Sequence, residues 1–121
     1  MMNIYDLSQK TADRELTDIL FERGTTRIER IVSSGETSDW YDQDEDEWVL
    51  LIEGEATLET VTPSGSEIVT LCRGDSLFLP ANVKHRVTQT SAKPACIWLC
   101  VFGTFQTPKN TPAEAGASLS V

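Results

Sequence analysis

Apolar and polar residues alternate along most of this chain in runs too short and too often interrupted to be helices. Residues 15–21 and 27–33 alternate on either side of a turn at Arg23-Gly24, which predicts an antiparallel hairpin. Residues 48–52 form an apolar run closed by Glu53-Gly54, and residues 56–62 alternate again. Pro63, Ser64, Gly65 and Ser66 supply turn-forming residues for the reversal that follows. Residues 67–71, 77–79, 85–90 and 96–102 complete the set. About eight short strands punctuated by Gly and Pro predict an all-β chain, an antiparallel β-sandwich or small barrel of jelly-roll type. Residues 10–20 are open to a helical reading, since Leu16, Ile19 and Leu20 have helical spacing; a strand is preferred for the second half. The predicted domain spans residues 1–105. Residues 106–121, rich in Pro, Ala, Ser and Thr, are expected to be a flexible tail with little to bury.

Length and charge narrow the functions. A chain of 121 residues supports one hydrophobic core and not two. With 10 Lys and Arg against 19 Asp and Glu, the formal charge is −9. No basic cluster offsets it, so binding to nucleic acid phosphates or to an anionic membrane is not expected. No apolar stretch is long enough to cross a bilayer, and the start Met-Met-Asn-Ile-Tyr-Asp lacks the basic and apolar regions of a signal peptide, so the expected location is cytoplasmic. Cys72, Cys96 and Cys100 lack CxxC spacing, and buried small apolar residues are the expected reading for all three.

Chemistry gathers in two phrases. The first runs Gly35-x5-Tyr41-x-Gln43-x3-Glu47-x6-Gly54. The second runs Gly74-x5-Pro80-x-Asn82-x2-His85-x3-Gln89 and contains the single histidine of the chain. In spacing they resemble the two motifs of the cupin family, G-x5-H-x-H-x3,4-E-x6-G and G-x5-P-x-G-x2-H-x3-N. The resemblance covers roughly residues 27–102 and implies a β-barrel of two facing sheets. It further implies one metal ion inside, held by two histidines and a glutamate of the first motif and a histidine of the second. Carried over position by position, Glu47 matches the glutamate and His85 the second-motif histidine, while Tyr41 and Gln43 stand where the first-motif histidines would be. Asn82 replaces a glycine, a mild change because Asn tolerates the left-handed backbone conformation. Gln89 replaces the closing asparagine.

These residues set the expected site. Tyr41, Gln43, Glu47 and His85 are the candidate metal ligands, with Glu47 and His85 also the candidate catalytic groups. The ion would be divalent, with Zn, Mn, Fe or Ni as candidates. Loss of two imidazoles weakens every site that depends on them. The acidic run from Asp42 to Glu47 reads either as a solvated loop or as an exchange of nitrogen for oxygen ligands, which would suit Mn, Mg or Ca. Strand alternation across that run would put Glu45 beside Tyr41, Gln43 and Glu47 as an extra ligand, unless a turn intervenes. Trp40, Tyr41 and Trp48 read as core, or as walls of an organic-ligand pocket; Trp48, next to Glu47, should face away from it.

Two functions stand. One is a metal-dependent enzyme acting on a small polar organic substrate, as an isomerase, epimerase or lyase. The other is a non-enzymatic barrel that binds a small ligand, with a degenerate or absent metal site. Apolar residues on both faces of 48–52 and 97–102 predict a homodimer.

Overall fold

The computed structural model describes residues 2–105, so the predicted tail at 106–121 lies outside the described residues. Eight strands follow one another: β1 (Leu16–Arg23), β2 (Thr26–Ser33), β3 (Asp46–Glu53), β4 (Ala56–Thr62), β5 (Gly65–Leu71), β6 (Ser76–Leu79), β7 (His85–Thr90) and β8 (Cys96–Gly103). They build two antiparallel sheets, one of five strands in the order β1-β2-β8-β3-β6 and one of three in the order β5-β4-β7. No helix occurs among the described residues, and the helical spacing near residue 20 is overridden by pairing of Leu16 with Val32 through Arg23 with Thr26. A bulge between Ile19 and Phe21 breaks that ladder and accounts for the imperfect alternation there. The β4–β5 reversal is tighter than its composition suggested, because Gly65 already pairs with Thr62 and only Pro63 and Ser64 form the turn.

The core lies between the sheets. Leu51, Leu58, Leu71, Leu79 and Cys96 are nearly or wholly buried there, at alternate positions of their strands, as a pleated sheet with one inward face requires. Gly54 closes the first motif phrase for a visible reason. Its φ is +94°, and a Cβ there would stand 2.9 Å from the Cα of Cys96 and 2.8 Å from its Sγ. Asn82, in the glycine position of the second phrase, adopts φ 65°, the left-handed conformation its side chain tolerates. Cys96 and Cys100 are buried on one face of β8 as expected, but Cys72 is exposed. It follows the end of β5 in a turn, where its backbone N–H donates to Asp75 at 2.7 Å and the chain has already left the core.

A segment without regular structure, residues 2–14, packs against the outer face of the larger sheet. Arg30 of β2 organises it. This guanidinium is only 2% exposed, donates to the carbonyls of Ile4 at 3.1 Å and Asp6 at 2.6 Å, and pairs with Asp18 at 2.6 Å.

Candidate functional site

The two motif phrases meet through the backbone. Tyr41 forms an isolated antiparallel bridge with His85, its N–H donating to the His85 carbonyl at 2.7 Å and its carbonyl accepting from the His85 N–H at 3.1 Å. Further along, the Asn82 N–H donates to the Gln43 carbonyl at 2.7 Å. The loop before β3 is thereby laid along the start of β7, and Tyr41 and His85 stack with ring centroids 5.4 Å apart. Glu47 arrives from the opposite sheet. It sits on β3 between Leu79 of β6 and Phe102 of β8, pointing inward.

Tyr41, Gln43, Glu47 and His85 all line one cavity of about 260 Å³ between the sheets. Its depth is graded. Glu47, His85, Trp98, Cys100 and Phe102 are buried at the floor, whereas Glu15, Thr17 and Tyr41 are exposed. The His85 Nδ1 lies 3.2 Å from the Val83 carbonyl, which makes Nδ1 the protonated nitrogen and leaves the Nε2 lone pair to the cavity. Nε2 stands 3.7 Å from Glu47 Oε1, a separation that is an ion pair only if the imidazole is charged. Burial pushes His85 below its ordinary value, so near neutral pH the imidazole is neutral and the contact is not an ion pair.

Burial acts on Glu47 in the other direction. Desolvation raises its carboxyl to about 7, opposed by hydrogen bonds from Gln43 and Cys100. The Gln43 amide nitrogen donates to Glu47 Oε1 at 3.2 Å. The Cys100 thiol is held far above its usual range, first by burial and then by the neighbouring Glu47 charge, so it remains a neutral donor. Tyr41 is also raised, chiefly by burial and next by Glu15 and Glu47.

Glu45 is not a cavity residue. Asp44 and Glu45 form a bend that breaks the strand count, and Glu45 instead takes Arg27 Nη2 at 2.8 Å on the far side of that guanidinium. Trp40 is likewise outside, stacked under Arg86 at 4.5 Å; Trp48 faces away from Glu47 on the outer surface of β3. Several wall residues were not singled out from the sequence: Arg27, Glu29 and Ser33 on β2, Trp98 and Cys100 on β8, and Glu15 just before β1. The available signal was polar residues at alternate positions of β2, an inward face that apolar patterning would have filled with aliphatics.

The donors present are a poor match to a tightly bound transition metal. One imidazole and one carboxylate are strong ligands; an amide already donating to that carboxylate and a phenol are not. Among the described residues no three His, Cys, Asp or Glu side chains are arranged to hold an ion.

The profile of the family described as Cupin domain matches residues 28–102. A solved structure from Ralstonia eutropha JMP134, provisionally named a mannose-6-phosphate isomerase, is similar with 32% identity, a TM-score of 0.76 and coverage of 87% of this chain and 98% of that one. A cupin superfamily protein from Desulfitobacterium hafniense DCB-2 shares the fold at 18% identity and TM-score 0.68, over 79% of this chain and 83% of that one. KdgF from Halomonas sp. does so at 13% identity and TM-score 0.65, over 81% and 87% respectively. No curated protein sequence matches significantly.

Proposed function

This chain belongs to the cupin family, and on that premise we propose that its cavity binds one small polar organic molecule on which Glu47 and His85 move a proton. One observation carries the reading. A buried carboxyl raised to about 7 faces the free Nε2 of a neutral imidazole across 3.7 Å, inside a cavity of about 260 Å³. A structural carboxylate gains nothing from that placement, whereas a general base works best with its pKa near the operating pH. Glu47 would take a proton from a carbon of the bound molecule and return it to close the turnover, while Nε2, beyond direct transfer from Glu47 at 3.7 Å, would accept and return a hydroxyl proton of the bound molecule itself. Isomerases, epimerases and lyases share such a step, and the likeness to a provisionally named isomerase supports the first of these. At roughly 30 Å³ for each water-sized group, the cavity holds about nine, the size of a small hydroxy-aldehyde or hydroxy-ketone.

The test is solvent deuterium exchange into a panel of small hydroxycarbonyl compounds, followed by proton NMR. Native protein should wash out the signal of the exchanging carbon-bound proton, and Glu47→Gln and His85→Gln should each slow the exchange by about a hundredfold or more. Exchange at native rates in both variants would remove these residues from the chemistry. A second reading, binding without turnover, is favoured by Tyr41 and Gln43 standing where the family motif has histidines; saturable binding with no exchange for any compound would select it.

A further inference from the structure

The geometry points to a ligand that carries a protonated amine, in a cavity that rejects phosphates and carboxylates of the same size. This rests on the small-molecule reading above and extends it to the charge of the ligand. The polar groups lining the cavity divide unequally. Arg27, Trp98, Ser33 and Gln43 each already donate to an acceptor of the protein. Arg27 donates through Nε to Glu29 at 2.5 Å and through Nη2 to Glu45 at 2.8 Å, while its face covers the Phe102 ring at 4.3 Å. Trp98 Nε1 donates to Ser33 Oγ at 3.2 Å, the Ser33 hydroxyl donates to Glu15 at 2.8 Å, and Gln43 donates to Glu47 at 3.2 Å.

The acceptors are in surplus. Each of Glu15, Glu29 and Glu47 has more lone pairs than these contacts occupy. The Nε2 of His85, a side chain only 4% exposed, lines the cavity with no hydrogen-bond partner among the described residues. Among the described residues, the carboxyl groups of Glu15, Glu29 and the partly protonated Glu47 line the space against the guanidinium of Arg27, which is matched by Glu29 and by Glu45 outside. An incoming phosphate would find no unpaired cation among the described lining residues and would face like charges in a partly dehydrated site. An ammonium finds acceptors from the exposed Glu15 down to the buried Glu47 and His85. The related protein named for a phosphorylated sugar therefore shares the fold, while this cavity suits a substrate of opposite charge.

The experiment is calorimetric titration of the full chain at low salt with four probes that share a phenyl ring: benzylamine, benzyl alcohol, benzoate and the larger phenyl phosphate. Benzylamine should bind at one site and at least tenfold more tightly than either anion. Glu15→Gln should weaken benzylamine several-fold. Glu29→Gln should narrow the gap from the other side, because it releases Arg27 and lets the anions gain. Equal or tighter binding of benzoate or phenyl phosphate to the native chain would overturn the inference and leave the small-molecule reading standing. Benzylamine binding unchanged in both variants would overturn it too. Displacement of benzylamine by one equivalent of Mn or Zn would do the same by assigning the positive charge to a metal ion. Failure of all four probes to bind would overturn the inference, and would remove the small-molecule reading too only if no hydroxycarbonyl compound exchanged or bound.

Discussion

Glu47 shows how one side chain can be held away from its ordinary chemistry by position alone. It occupies a central strand, at an inward position where neighbours are aliphatic or aromatic, and the loss of water raises its carboxyl from 4.5 to about 7. The folded state therefore holds this proton more tightly than the unfolded chain does. Between about pH 4.5 and 7 the native state binds more protons, so the Glu47 contribution to stability is full below that window and lost as pH rises through it. His85 has the opposite slope below its ordinary value, but it is common to native protein and variant and cancels in their difference. Glu47→Gln should thus be more stable than native protein above pH 7, by about 3 kcal/mol, with the difference shrinking toward zero near pH 4.5. Chemical denaturation of both proteins across that pH range measures it. A difference that did not depend on pH would mean the carboxyl is not desolvated as the geometry requires.

At the level of elements, the site depends on a loop behaving almost as a strand. Residues 41–43 lie along β7 through three backbone hydrogen bonds, and the bend at Asp44 and Glu45 then turns the chain into β3 on the other sheet. One phrase thereby serves both walls of the cavity. The outer face of the larger sheet is organised by a different device. Arg30 ties residues 2–14 to β2 through backbone carbonyls, an arrangement in which removing the guanidinium leaves acceptors and Asp18 without their donor. Arg30→Met, which keeps much of the apolar stem, should cost about 3 kcal/mol and should raise amide exchange in residues 2–14 before the rest of the barrel. Hydrogen exchange read by mass spectrometry separates the two regions; unchanged protection of the N-terminal segment would show that its packing does not need Arg30.

For the whole molecule, the outer face of the five-stranded sheet carries Ile28, Trp48, Leu50, Phe78, Leu99 and Val101, adjacent across strands β2, β8, β3 and β6 and each half-buried. Covering such a patch is favourable, and for a chain with charge −9 a second copy meets least repulsion through its apolar surface. We propose that two copies pair through this face with twofold symmetry. Light scattering should return a dimer mass at micromolar concentration for native protein and a monomer mass for Leu50→Glu, with the circular dichroism spectrum retained. A native monomer across that range would sink the proposal.

How much of this was legible in advance follows from the range of the forces involved. Strand content, the all-β class and the pairing of the two phrases were readable, because alternation, turn residues and motif spacing are local. So was the convergence of Gln43, Glu47 and His85, which the spacing carries. The fate of Glu45 was not, since a single bend after Gln43 sends it to Arg27 instead of the cavity, and no residue in the acidic run announces that bend. Nor were Glu15, Arg27, Glu29, Trp98 and Cys100, which lie outside both phrases and become cavity walls only when β2 pairs with β8 and β8 with β3. The sequence by itself determined, through motif spacing, that Glu47 and His85 would confront one another inside the barrel. Tertiary structure alone decided their charge states and the surplus of acceptors around them, because desolvation and hydrogen-bond partnership are properties of a three-dimensional neighbourhood and have no counterpart in the order of residues along a chain.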